Sequence, residues 1–304
     1  LGVPFGILLC LAVVNVGCRS LRSPSAADAS LAAARSLSLQ ALDAQQRGQP
    51  DQAEALFASA VEQCPSDERA RHGYARSLWQ RGAQDQAVAH MEEAVRLSGN
   101  DPERLVELGD MYLHRGELRR AGQHADRAIV ANAQLAAAWA LRGQVQQAVG
   151  QRDAALASFH QALSRRASYP DVQLAIAAIY TQQSRPQRAL ATLQTLADSY
   201  PSGQVPDEVV VQEAFAYRAL GRYQDAAGKL ALVCERGAAP ADLHCELART
   251  HMLAGDSAAA RQVVQAVLAR DPHHAAGQAL AMELGSRDDG VIASAVERRP
   301  TMMH

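Results

Sequence analysis

The sequence predicts an all-α fold, a right-handed α-solenoid of seven helix-turn-helix hairpins closed by a C-terminal capping helix. Three observations carry that expectation. Of all residues, 48% are hydrophobic but only 4% aromatic, so the apolar content is mostly Ala, Leu and Val, which suits close helix packing better than a β-sandwich. From Ala34 onward the chain repeats with a period of 34 residues, the mark of stacked supersecondary units. Within that period small and large side chains recur at fixed places, as two helices in near backbone contact require.

In chain order, residues 1–17, LGVPFGILLCLAVVNVG, carry no charge. A run this short, interrupted by Gly and Pro, falls below the roughly 20 residues of a spanning helix and reads as a secretion signal. Its end, Gly17-Cys18, resembles the lipobox of bacterial lipoproteins, although Asn15 stands where that family usually has an aliphatic residue. The resemblance makes 1–18 a signal peptide and Cys18 a lipidation site, with the body of the protein in the cell envelope facing the periplasm. Arg19 and Arg22 leave a second reading open, an uncleaved anchor with the body facing the cytoplasm. Residues 19–33, RSLRSPSAADASLAA, read as a flexible tether reaching at most ~50 Å.

Five hairpins begin at Ala34, Glu68, Pro102, Ala136 and Pro170 and fill residues 34–203. A three-residue insertion, Gln204-Val205-Pro206, follows, the segment Ser202-Gly203-Gln204-Val205-Pro206 is a candidate hinge that breaks the stack, and two more hairpins from Asp207 and Ala241 fill 207–274. Position 8 of each unit is Ala41, Ala75, Gly109, Gly143, Ala177, Ala214 or Ala248, and position 20 is alanine in all seven. Only small side chains let the paired helices approach there. Position 15 is Gly48, Gly82, Gly116, Gly150, Ser184, Gly221 or Gly255, placed to cap the first helix in the left-handed conformation. Phe57, Met91, Phe159, Leu193, Leu230 and Val264 at position 24, with Tyr112, Tyr180 and Tyr217 at position 11, read as core.

This pattern resembles the tetratricopeptide repeat (TPR) family. Its Trp, Gly, Ala, Phe and Ala offsets are met in hairpin 4 by Trp139, Gly143, Gly150, Ala155, Phe159 and Ala162. Pro65, Pro201 and Pro272 close hairpins 1, 5 and 7 as the family does. Arg142 and Glu213 stand where it prefers Leu, which predicts looser packing in hairpins 4 and 6.

The resemblance implies a concave groove lined by positions 2, 5, 9, 12 and 13. Carried over, these offsets select Arg69, His72, Arg76 and Trp79 in hairpin 2, Asp110 and His114 in hairpin 3, and Gln144 and Gln147 in hairpin 4. They also select Phe215, Arg218, Arg249 and Met252 in hairpins 6 and 7. The hairpin 2 set forms one helical stripe able to take a carboxylate or an acidic helix with an aromatic anchor. A Lys/Asn clamp for a peptide C-terminus is not supported, because hairpin 1 has Ser38 and Leu42 at those places.

Residues 275–285 continue as a helix that covers the last hairpin, as a solenoid end needs. Residues 286–304 are short and charged and are expected to be a disordered tail, with a brief helix around Val291 to Val296.

Thirty basic residues balance 32 acidic ones, for a net charge of −2. Such a surface has no field to draw a nucleic acid. No pair among Cys10, Cys18, Cys64, Cys234 and Cys245 has the spacing of a zinc or redox motif, so neither a metal nor a cofactor is expected. His244 and His251 flank Cys245 most closely, and both read as packed within hairpin 7. Without a phosphate loop, a His-Glu-x-x-His or a nucleophile elbow, the chain does not read as an enzyme. It reads as a scaffold that holds a protein or peptide partner, touching the membrane through its N-terminal lipid or anchor only. Two settings compete: an envelope-tethered assembly factor for pilus, secretion or exopolysaccharide machinery, as in TPR lipoproteins, or a soluble or cytoplasmic-facing adaptor. Oligomeric state is left open.

Overall fold

In the computed structural model, residues 25–201, 203–237 and 239–285 are described, and they contain helices and no strand. Readings on residues 1–18, on Cys18 and on 286–304 lie outside the described residues.

The helices pair in sequence as α1 (Ala26–Gln46) with α2 (Pro50–Gln63) and α3 (Glu68–Gln80) with α4 (Gln84–Leu97). They continue with α5 (Pro102–His114) and α6 (Leu118–Ala131), α7 (Ala136–Ala148) and α8 (Arg152–Arg165), and α9 (Pro170–Gln182) and α10 (Pro186–Ala197). The last pairs are α11 (Asp207–Ala219) with α12 (Tyr223–Glu235) and α13 (Ala241–Leu253) with α14 (Ser257–Arg270), followed by α15 over 275–285. The fold is therefore an all-α solenoid of seven hairpins. It divides into two compact units, Leu1–Gly99 with hairpins 1 and 2 and Asn100–His304 with the rest.

One device makes all seven hairpins. At position 15 the backbone φ runs from 55° at Ser184 to 87° at Gly82, and the next amide donates back five residues. Examples are Gln49 N to Ala44 O at 2.9 Å and Arg185 N to Tyr180 O at 2.8 Å. Together with the bond from position 15, such as Gly48 N to Gln45 O at 3.0 Å, this closes a Schellman cap and aims the chain into the second helix. The helices then meet at the alanines of position 20, every one of them 0% exposed. The large residues expected at positions 11 and 24 are all buried.

Three expectations need correction. Residues 26–33, read as part of the tether, are the first two turns of α1, because Ser25 and Asp28 form a capping box. Asp28 N donates to Ser25 Oγ at 3.2 Å and Ser25 N to Asp28 Oδ2 at 3.1 Å, an arrangement that nucleates the helix upstream of the first repeat. The insertion after hairpin 5 does not interrupt the core either. Leu193, Leu196, Val209, Ala216 and Tyr217 belong to one buried cluster, and Arg236 ties the insertion down by donating to Val205 O at 3.0 Å and pairing with Asp207. Nor is hairpin 6 loosened at Glu213, which is buried and paired with Lys229.

In the second unit α15 buries Leu280 and Leu284 against Cys245, Met252, Val264 and Val267. Its N-terminus is capped by His274, whose Nδ1 accepts from Gly277 N at 3.2 Å.

Candidate functional site

In the first unit α3 presents the expected stripe. Arg69 and Arg76 are exposed, and His72 and Trp79 are half-buried. Asp67 caps the helix by accepting from Arg69 N at 3.1 Å, which starts α3 in the right phase to set Arg69, His72, Arg76 and Trp79 along one side. Among the described residues neither the Arg69 nor the Arg76 guanidinium makes a hydrogen bond or an ion pair.

The sequence reading passed over Arg35, position 2 of hairpin 1. It too is unpaired among the described residues, and with Arg69, Leu31, Ser30 and Ser66 it lines a cavity of about 510 Å³. The offset that selected Arg69 in hairpin 2 selects Arg35 when applied to hairpin 1. Nearby on α1, Leu39 and Leu42 are 68% and 48% exposed. Acidic groups border the cavity as well: Asp28 holds Ser25, Asp67 caps α3, and Glu68 has a partner of its own.

In the second unit the residues chosen by sequence divide. Asp110 and His114 are together, His114 Nδ1 lying 3.4 Å from Asp110 Oδ2. Burial pushes the Asp110 carboxyl up from its usual range, and the adjacent His114 works against that shift. Gln144 and Gln147 are half-buried on α7. Phe215 lies under Arg218, whose guanidinium carbon is 4.9 Å from the ring centre. Arg218 is not a free cation: it pairs with Glu246 at 2.6 Å, and Arg249 takes the other oxygen of the same carboxylate at 3.2 Å. Met252 is not a lining residue. At 6% exposure it belongs to the core beneath α15, because the capping helix occupies the space beside α13.

The imidazole nearest Cys245 is neither His244 nor His251 but His274, with Nδ1 3.7 Å from Sγ and Nε2 3.3 Å from Asp242 Oδ1. His244 and His251 are half-exposed rather than packed away. This Cys-His-Asp set has the look of a catalytic triad and the chemistry of a cap. The His274 lone pair is spent on the Gly277 amide, and burial raises the Cys245 thiol away from the reactive thiolate form. Cys64, Cys234 and Cys245 are all free thiols. Among the described residues no three His, Cys, Asp or Glu side chains gather as metal ligands, and no helix is long and apolar enough to cross a membrane.

Two family models described as tetratricopeptide repeat match residues 38–102 and 147–205. No curated protein matches the chain. Among solved structures, it is similar to PilF of Pseudomonas aeruginosa at TM-score 0.60 and 15% identity, covering 70% of this chain and 95% of that one. It is also similar to PilW, described as a type IV pilus biogenesis factor, at TM-score 0.60 and 17% identity over 65% and 90% of the two chains. A third likeness, at TM-score 0.54 and 18% identity over 63% and 97%, is to YrrB, a TPR protein described as having an unusual peptide-binding site. At such identities these likenesses are of fold.

Proposed function

Because this chain belongs to the tetratricopeptide repeat family, we propose that it works as an envelope-tethered assembly factor that grips an acidic segment of a partner protein on the α3 stripe. The broad role is that of a protein-interaction scaffold, and no catalytic role is assigned. One observation carries the acidic partner: Arg69 and Arg76 stand exposed on one face of α3 with no carboxylate to meet them among the described residues. A guanidinium in that state keeps its capacity for a bidentate, charge-assisted bond to an incoming carboxylate. In the second unit Arg218 and Arg249 share Glu246, so the first unit is the stronger candidate.

Two supports favour the envelope setting: the Gly17-Cys18 pair, read as a lipid attachment site, and the fold likeness to PilF and PilW. In this reading Cys18 carries the lipid, the repeats face the periplasm, and the partner belongs to a pilus, secretion or exopolysaccharide assembly. Intact-mass and N-terminal peptide analysis of the protein from its native membranes tests the setting. Diacylglyceryl Cys18 at the mature terminus is expected. An unmodified Cys18 on a chain that keeps residues 1–17 would instead support the cytoplasmic-facing adaptor suggested by Arg19 and Arg22.

For the binding site, the Arg69→Glu/Arg76→Glu double variant is expected to lose the partner recovered with the wild-type protein from the same membranes, with helical circular dichroism unchanged. Retention of that partner would move the site off α3.

A further inference from the structure

We infer that the occupant of the α3 stripe is an extended segment of polyproline II form, with carboxylates three residues apart and an apolar or proline residue just beyond the second; this rests on the groove reading above. The spacing comes from α3 itself. Arg69 and Arg76 are seven residues apart, which sets their attachment points about 10 Å apart along the helix. In a polyproline II segment, residues i and i+3 project from the same side and are about 9 Å apart. A β-strand cannot match this: its same-side residues are i, i+2 or i, i+4, at about 7 Å or 13 Å.

A docked helix could match it with residues seven apart. Helix-in-groove binding, however, works by laying an apolar stripe into an apolar groove. The α3 stripe is cationic over its first two turns, with a single indole at the end. Trp79 lies one turn past Arg76, about 4.5 Å along the axis, which suits an apolar residue one or two places after the second acid. Aromatic surfaces of this kind are what extended proline-rich segments use.

A second observation marks Arg69 as kept for recognition. It occupies the first turn of α3, where the helix dipole disfavours a cation. The same position in the later hairpins is Glu103, Asp171, Glu208 and Asp242, all suited to the dipole, with Ala137 the neutral exception. Arg69 therefore breaks a local rule with no compensating partner among the described residues, as binding residues do. The other arginines left unpaired among the described residues are Arg35, on α1, and Arg119, Arg185 and Arg270, in or next to second helices, and none of them is on this stripe.

The test is fluorescence anisotropy on the full chain with dye-labelled Pro/Ser peptides carrying two glutamates at spacings of two, three or four. A fourth peptide is an Ala-based helix with glutamates seven apart. Spacing three is expected to bind about tenfold tighter than the others, and Arg69→Gln or Arg76→Gln should each remove that advantage. Arg119→Gln should leave it intact. Arg69→Gln should also raise the unfolding midpoint by about 1 °C, since it relieves the dipole. Equal affinity at all spacings, with loss on charge reversal, would overturn the register while leaving the groove reading standing. Tightest binding by the helical peptide would overturn the extended form. Failure of every acidic peptide, with wild-type and variants alike, would overturn the inference together with the acidic-partner reading, as would a fall in the Arg69→Gln midpoint, which would reveal a structural role.

Discussion

Lys229, the only lysine in the chain, donates from Nζ to Glu213 Oε2 at 2.5 Å, and Glu213 is 2% exposed. The two stand at positions 7 and 23 of hairpin 6, face to face across α11 and α12. In hairpin 2 the same positions hold Tyr74 and His90, with ring centres 4.7 Å apart. One register contact is thus met by an ion pair in one hairpin and by an edge-to-face ring pair in another.

Removing Lys229 alone strands a buried carboxylate. Lys229→Met is expected to destabilise by roughly 3 kcal/mol, the low end for such pairs because the ammonium keeps some contact with water. The double variant Glu213→Leu/Lys229→Met, with the residue the family prefers at 213, should recover most of that loss. Urea unfolding followed by circular dichroism checks both, and a single variant as stable as wild type would show the pair to be idle.

Gly143 at position 8 leaves no room for a side chain, since an added Cβ would meet ring atoms of Phe159 at 2.5 Å. Phe159 is fully buried and has nowhere to retreat. Gly143→Ala should cost about 1–3 kcal/mol by overpacking, and adding Phe159→Leu should return part of it. The midpoint of thermal unfolding separates these outcomes.

Ser184 holds φ at 55°, in the left-handed region where the six other hairpins use glycine. Ser184→Gly relieves that strain at a smaller entropic cost, for an expected gain of about 0.5–1 kcal/mol. Ser184→Val, branched at Cβ, should lower the midpoint instead.

His90 is held neutral. Burial, and then the Arg71 guanidinium, lower its pKa from the ordinary 6.5; Arg71 Nη1 donates to His90 Nδ1 at 3.4 Å, which requires an unprotonated nitrogen. The unfolded chain therefore takes up this proton first. Stability from this group is complete above pH 6.5 and falls as the pH drops toward the depressed folded value. Across that window His90→Gln should flatten the stability profile relative to wild type, and parallel profiles would contradict this.

Much of the architecture was legible because the repeat writes the same contact many times. The helix starts at Glu68, Pro102, Ala136, Pro170, Asp207 and Ala241 coincide with the hairpin starts read from the period. The cap at position 15 was marked by glycine wherever the backbone needed it, apart from Ser184. The stripe on α3 was legible for a similar reason, since residues three and four apart on one helix share a face.

The rest depended on residues distant in sequence. Arg69, Arg76, Arg218 and Arg249 look alike as groove arginines, yet among the described residues only the last two meet a carboxylate, and Arg218 finds Glu246 from the next hairpin. Met252 reads as exposed until α15 is laid over it. His274 becomes the neighbour of Cys245 because the chain turns back after α14.

The sequence by itself determined the hairpin, its period and the small residues at each helix crossing, because helix formation, capping and close approach are local and recur every 34 residues. Only the tertiary structure decided which charges are spent within the fold and which remain open, because ion pairing depends on where neighbouring helices set each side chain in space, and no periodicity encodes that.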